Sequence, residues 1–259
     1  MDLARLQLKY FIFGTALLPV APFLYLQGQY TRLKVGRLPD AKGSTSGVVG
    51  EGESLLRVLA IGESTVAGVG ASTFEEALSG QFAKHLGCAT SKQVEWHALG
   101  KSGITVADTI IELVPKIPDL EFDVILIALG GNDVFSVSSP LHWRAKISEL
   151  IGILKRRHPD AEIFMANIPM VRDFIALPDP LRYLLSRLAK MQHFNTIDLV
   201  SKMPDVHYFE EINRVGDDFF SDGVHPSPSG YDAWSEAMVR SFLKKSSRLN
   251  GHQTLPPGA

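Results

Sequence analysis

With 259 residues, 45% of them apolar, and a formal net charge of -2, the chain has material for one sizeable core and lacks the basic excess that a nucleic-acid partner requires. Its one cysteine, Cys88, excludes an internal disulfide, and no Cys-x-x-Cys or Cys/His cluster offers a structural metal site.

The first element is apolar. From Tyr10 to Gln27 no side chain is charged, with Arg5 and Lys9 ahead of it and Arg32, Lys34 and Arg37 behind. That is close to the roughly 17–25 residues of a membrane-crossing helix, and residues 1–37 are read as an uncleaved anchor that meets lipid through residues 10–27. Pro19 and Pro22 kink such a helix and leave a shallow, interfacial placement open. Two other readings compete. One is a signal peptide whose cleavage exports the rest, although prolines beside Ala21 spoil the best cut. The other is an apolar helix docked on the folded domain. Basic residues on both flanks leave the orientation undecided.

Residues 38–54, LPDAKGSTSGVVGEGES, are rich in Gly and Ser without periodicity and read as a flexible linker. The folded domain is expected over 55–245, and the polar stretch 246–259, ending in LPPGA, reads as a disordered tail.

Within the domain, short apolar runs alternate with segments of helical period. Arg57–Ile61, Val94–Ala98, Asp123–Leu129, Glu162–Asn167 and Val206–Phe209 read as strands covered on both faces. Phe74, Leu78, Phe82 and Leu86 mark one helix, with Thr73 and Glu76 at capping-box spacing. Ile147, Leu150, Ile151 and Leu154 mark a second, Leu181 to Leu199 contains a third, and Trp234, Met238 and Phe242 line the last. The expected fold is α/β: a three-layer α/β/α, flavodoxin-like domain with about five parallel strands.

Ligands of such sheets bind beyond the carboxyl ends of the strands, and the loops there carry chemistry. Gly62-Glu63-Ser64-Thr65-Val66-Ala67-Gly68 follows the first strand, Gly100-Lys101-Ser102-Gly103 the second and Gly130-Gly131-Asn132-Asp133 the third. Asp222-Gly223-Val224-His225-Pro226 follows the fifth. A serine hydroxyl needs a base, and the imidazole that serves needs a third group to fix its tautomer. Asp222 and His225 have the spacing for that pair, with Ser64 as nucleophile. The backbone N–H groups of Ser64 and Gly103 and the Asn132 amide are candidate oxyanion donors. Taken singly, each motif is more often a turn. The other histidines, His85, His97, His142, His158, His193, His207 and His252, have no such companions and read as surface or packing residues.

Together the four blocks, over roughly Leu55 to Lys244, resemble the SGNH, or GDSL-type, family of esterases, lipases and thioesterases. The resemblance implies a nucleophile at Ser64, an oxyanion N–H at Gly103, an oxyanion amide at Asn132 and a closing pair at Asp222 and His225. It also implies hydrolysis of an ester or thioester substrate with no metal or other cofactor. The family's Gly-Asp-Ser is Gly-Glu-Ser here, which keeps the charge beside the serine.

A nucleophile elbow of the α/β-hydrolase type is excluded because position 66 is valine where that motif has glycine. Nucleotide binding is excluded because neither Gly-x-Gly-x-x-Gly nor a P-loop lysine is present. A membrane-tethered acyltransferase, or a non-catalytic binding module on the same fold, remains as an alternative. The proline-bounded segment Pro169–Pro180 holds Met170, Phe174 and Leu177, which either line an acyl pocket or cover the sheet edge.

Overall fold

The computed structural model describes residues 3–36, 38–212, 215–216 and 218–249. Two helices come first, α1 (Leu3–Leu17) and α2 (Ala21–Val35), joined by a 3-10 turn over Leu18–Val20. The turn falls where Pro19 and Pro22 remove amide donors from the helical ladder. Six strands follow among the described residues: β1 (Ser46–Val49), β2 (Leu55–Gly62), β3 (Gln93–Gly100), β4 (Val124–Ala128), β5 (Glu162–Met165) and β6 (Val206–Tyr208). They form one sheet in the order β1-β3-β2-β4-β5-β6. The helices between and after them are α3 (Leu78–Thr90), α4 (Val106–Glu112), α5 (Gly131–Phe135), α6 (Pro140–Arg157), α7 (Leu181–Val200) and α8 (Pro228–Lys245).

Strand pleating divides the core in two. Leu59 and Ile61 of β2, Ile125 and Ile127 of β4, and Ile163 and Met165 of β5 pack with α4, α6 and α7. The alternate residues Val58, Ala60, Val124, Leu126 and Phe164 pack with α3 and α8. Side chains of adjacent residues point to opposite faces, so an unbroken apolar run means a strand covered on both sides. Each fully buried Leu, Ile or Phe contributes about 1.5–3 kcal/mol to holding helices on the sheet. This is the expected three-layer α/β/α domain.

The sheet has one strand more than the five expected, and that strand comes from the segment read as a linker. Ser46–Val49 pairs antiparallel with β3, Val48 opposite Glu95 and Gly47 opposite Trp96. The glycine that argued for flexibility serves packing here. A Cβ on Gly47 would lie 2.9 Å from the Trp96 ring, so the indole lies flush across the edge strand and is fully buried.

Helix α3 starts at Leu78, later than the expected Phe74, and the Thr73 and Glu76 capping box does not form. Thr73 bridges instead to Lys42, and Glu76 turns back to accept the Ser72 N–H at 3.3 Å. Phe74, Leu78, Phe82 and Leu86 are nevertheless all buried, as their stripe requires. At the other end Ser246 is buried and its Oγ accepts the Leu249 N–H, and the rest of the expected tail, 250–259, lies outside the described residues.

The apolar N-terminal helices lie along the domain. Gln7 accepts the Leu141 N–H at 3.1 Å, Tyr10 donates to the Val137 carbonyl at 2.7 Å, and Gln27 donates to the Asp179 carbonyl at 3.0 Å. Leu6 and Thr31 are buried at the two ends, while Leu8, Phe11, Ile12, Phe23, Leu26 and Leu33 are exposed on the outer side. The stretch Leu3–Thr31 is long and apolar enough to cross a membrane.

Candidate active site

The carboxyl ends of β2, β3 and β4 release three of the four motif loops, and the fourth folds over them from beyond β6. Following β2, the backbone turns at Glu63, whose carbonyl accepts the N–H groups of Val66 and Ala67, both at 3.0 Å, and Val69 N–H closes on the Ser64 carbonyl. This turn leaves Ser64 half-buried at the rim of a cavity of about 1120 Å³. Helix α8 and the loop before it are tied directly to this turn. Tyr231 donates to the Val69 carbonyl at 2.7 Å, and Ser221 donates to the Gly70 carbonyl at 2.9 Å. Ser227 caps α8 by accepting the Gly230 N–H at 3.1 Å, which fixes the backbone two residues after His225.

Asp222 and His225 are in contact. One Asp222 oxygen accepts the backbone N–H groups of Val224 and His225 at 2.9 and 2.7 Å, and the other lies 2.7 Å from His225 Nδ1. Burial opposes ionisation of Asp222, but the His225 ring and the two backbone donors outweigh it and hold the carboxyl below its ordinary range. An ionised carboxylate only accepts, so Nδ1 carries the proton and Nε2 is left as the acceptor of the ring. His225 lines the same cavity as Ser64. The hydrogen bond between Ser64 and the imidazole is not formed, as is common where such pairs await a substrate.

Of the predicted oxyanion donors, the backbone N–H groups of Ser64 and Gly103 donate to no other group among the described residues. Gly103 has φ +83°, a conformation glycine adopts freely, a Cβ there would meet nothing within 4 Å, and the residue lines the cavity. Immediately after it, Thr105 and Asp108 form a capping box that anchors the start of α4. Asn132 lines the cavity as well, but its amide nitrogen donates to Glu63 and to the Ile104 carbonyl. Both its N–H bonds are engaged, so donation to an oxyanion requires exchange of one of them.

Glu63 is the site residue whose role the sequence did not disclose. Its buried carboxylate accepts the Gly131 N–H at 2.8 Å, the Asn132 N–H at 2.9 Å and the Asn132 side chain. Burial pushes its carboxyl up to about 7, against the pull of these donors. Next to it Asp133 accepts the Val106 N–H at 3.0 Å with one oxygen while the other has no partner, and burial pushes this carboxyl up to about 6. A signal for Glu63 existed: a carboxylate beside a strand-end serine, with a Gly-Gly turn, free of side chains, after the neighbouring strand. A Cβ on Gly131 would come within 2.9 Å of Glu63 Oε1.

Met170, Phe174 and Leu177 all line the cavity, and Phe174 and Leu177 also belong to the core, Phe174 against Phe135 and Phe220 with ring centres 6.3 and 5.6 Å apart. The two readings of this segment therefore coexist. Other imidazole–carboxylate pairs lie elsewhere, His85 with Asp232 at 3.0 Å and His97 with Glu95 at 3.1 Å, and none of these residues lines the cavity. Among the described residues no group of three or more His, Cys, Asp or Glu side chains is arranged to hold a metal ion.

The domain is an α/β/α fold on a mostly parallel sheet, and Ser64 and the carboxylate-bound imidazole of His225 line one cavity beyond the carboxyl ends of its strands. Residues 60–233 match the GDSL-like Lipase/Acylhydrolase family, and the chain belongs to it. None of the curated proteins compared matches the chain. Among solved structures it is similar to a family two carbohydrate esterase from Clostridium thermocellum in complex with cellohexaose, at 18% identity and TM-score 0.56, over 76% of this chain and 66% of that one. It is similar also to the lipase Lip_vut3 from a goat rumen metagenome, at 19% identity and TM-score 0.56, over 72% and 97%. An extracellular lipase from Streptomyces rimosus is similar at 13% identity and TM-score 0.55, over 72% and 99%. These likenesses concern the fold. The chain spans just under two thirds of the length of the carbohydrate esterase.

Proposed function

We propose that the chain hydrolyses carboxylic esters or thioesters through an acyl-enzyme on Ser64. The observation that carries this reading is the 2.7 Å bond between Asp222 and His225 Nδ1, which leaves Nε2 as a base in the cavity that Ser64 also lines. His225 takes the Ser64 proton as Oγ attacks the acyl carbon, and the N–H groups of Ser64 and Gly103, with Asn132, receive the developing oxyanion. The same imidazole then returns its proton to the leaving group and activates the water that frees the acid. The test is hydrolysis of p-nitrophenyl acetate and octanoate by the full chain and by Ser64→Ala, with fluorophosphonate labelling of both. Turnover and labelling that vanish with Ser64 are the expected result. Turnover that survives the substitution overturns the reading.

The same proposal includes association with a lipid surface. The hydrogen bonds that tie Gln7 and Gln27 to the domain lie twenty residues apart, one on α1 and one on α2, on either side of the 3-10 turn at Leu18–Val20. A segment pinned at both ends along the domain lies in a membrane interface and does not cross the bilayer, with Phe11, Ile12, Phe23 and Leu26 facing outward.

A further inference from the structure

The cavity at Ser64 is not closed by the α/β/α domain alone. Tyr10, Phe13, Gly14, Leu17, Leu24 and Gly28, on α1 and α2, also line it. On α1 they fall at 10, 13, 14 and 17, the i, i+3, i+4, i+7 spacing of one helix face, and on α2 Leu24 and Gly28 are four residues apart. The opposite wall is formed by Phe174, Leu177, Leu185, Leu188 and Phe220, from the segment after β5, from α7 and from the loop before α8. Its volume, about 1120 Å³, exceeds the roughly 300–1,000 Å³ typical of small-molecule sites. An acetyl group fills a small part of that. Ser64, Gly103, Asn132 and His225 supply polar groups at the reacting end, and the wall residues named here are apolar apart from the Tyr10 hydroxyl, while Gln29, Thr31, Ser136, Asp173 and Glu211 also lie on the lining.

We infer that α1 and α2 are the outer wall of an acyl channel, so that the substrates of this site are esters of long, unbranched acyl chains. This inference rests on the ester-hydrolase reading of Ser64. An extended hydrocarbon joined to the reacting carbonyl is the occupant that runs continuously from Ser64 along both helices. The helical lining also accounts for one glycine in each of the two helices. A Cβ on Gly14 meets nothing within 4 Å, and one on Gly28 meets only Leu181 Cδ2 at 3.9 Å, so each glycine widens the channel.

Two bulky substitutions, Gly14→Phe on α1 and Gly28→Phe on α2, test this in the full chain, because both glycines line the cavity and a Cβ at either clashes with nothing. With p-nitrophenyl esters from acetate to palmitate, kcat/KM of the native chain rises up to roughly fourfold per added methylene until the channel is filled. Either substitution then lowers the ratio of palmitate to acetate activity at least tenfold. A second readout needs no turnover: Ser64→Ala binds a fluorescent long-chain fatty acid, and adding Gly14→Phe or Gly28→Phe weakens that binding at least tenfold. Unchanged fatty-acid binding, or chain-length profiles that superimpose on the native one, overturns the channel. Ester turnover that is absent, or independent of Ser64, overturns the hydrolase reading instead, and the fatty-acid measurement still decides the channel.

Discussion

The Glu63 carboxylate accepts both the backbone and the side-chain N–H of Asn132, 69 residues further along the chain. The residue beside the proposed nucleophile and the proposed oxyanion amide therefore move as one unit. Both Glu63 oxygens face N–H donors, and a glutamine in its place turns an NH2 group towards one of them. Glu63→Gln is expected to lower kcat tenfold or more with little change in KM, and to cost about 1–3 kcal/mol of stability. Steady-state kinetics with thermal unfolding checks this. An unchanged kcat in a destabilised protein would assign Glu63 to the scaffold alone.

Asp133 makes the stability of the site depend on pH. Its folded pKa, about 6, is above the ordinary value of 3.8, so the folded state holds its proton more tightly than the unfolded chain does. The resulting stabilisation is complete below about pH 3.8 and disappears as pH rises through about 6. Glu63, pushed up from 4.5 to about 7, acts in the same direction over a window that ends a unit higher. Asp133→Asn keeps an acceptor for the Val106 N–H and removes the ionisation. The variant is expected to gain Tm relative to the native protein on going from pH 5 to pH 8, and differential scanning calorimetry at the two values decides it. A constant difference would mean that Asp133 does not titrate in this interval.

Asp222 and Asn132 serve different steps and so predict different kinetic losses. Asp222→Asn keeps the shape but presents either a donor to Nδ1 or an uncharged acceptor, and kcat/KM should fall roughly 10³- to 10⁴-fold. Asn132→Ala removes one oxyanion donor and should lower kcat about a hundredfold with KM nearly constant. Because Asn132 also bonds Glu63 and the Ile104 carbonyl, its loss is expected to be less than additive with that of Glu63→Gln. Additive losses in the double variant would uncouple the two residues.

The strands and most helices are legible in the sequence because their burial is periodic: Ile125 and Ile127 face one layer while Val124 and Leu126 face the other. The Asp222-x-x-His225 contact is legible because three residues around a glycine bring the two side chains together locally. Glu63 is not, since its partners Gly131 and Asn132 open α5 after another strand, and only the register of β2 with β4 brings them together, Gly62 opposite Ala128. Nor is β1, whose four residues become a strand only against Trp96 and β3. This has a measurable consequence. A chain beginning at Leu38 keeps β1 and the 2.6 Å bond from Ser102 to Asp40, and one beginning at Leu55 loses both and bares Trp96. Burial of one large apolar side chain is worth about 1.5–3 kcal/mol, and a domain of this size shifts by about 2–4 °C per kcal/mol. The shorter chain is therefore expected to unfold roughly 3–12 °C lower. Equal Tm values would make β1 dispensable.

The N-terminal helices, apolar and long enough for a membrane span, turn some residues towards the cavity and others outward. Phe11 and Leu26, 58% and 64% exposed, face away from the cavity and away from the contacts of Gln7, Tyr10 and Gln27. An interfacial helix owes its affinity to such residues, and a carboxylate in their place must either stay in water or carry its hydration into the headgroup region. The double variant Phe11→Glu, Leu26→Glu is expected to weaken co-sedimentation with phosphatidylcholine vesicles roughly tenfold or more, while hydrolysis of water-soluble p-nitrophenyl butyrate stays near the native rate. A chain that crosses the bilayer would instead resist extraction by alkaline carbonate. Vesicle binding that survives the substitutions, together with resistance to carbonate, would replace the interfacial placement by a spanning one.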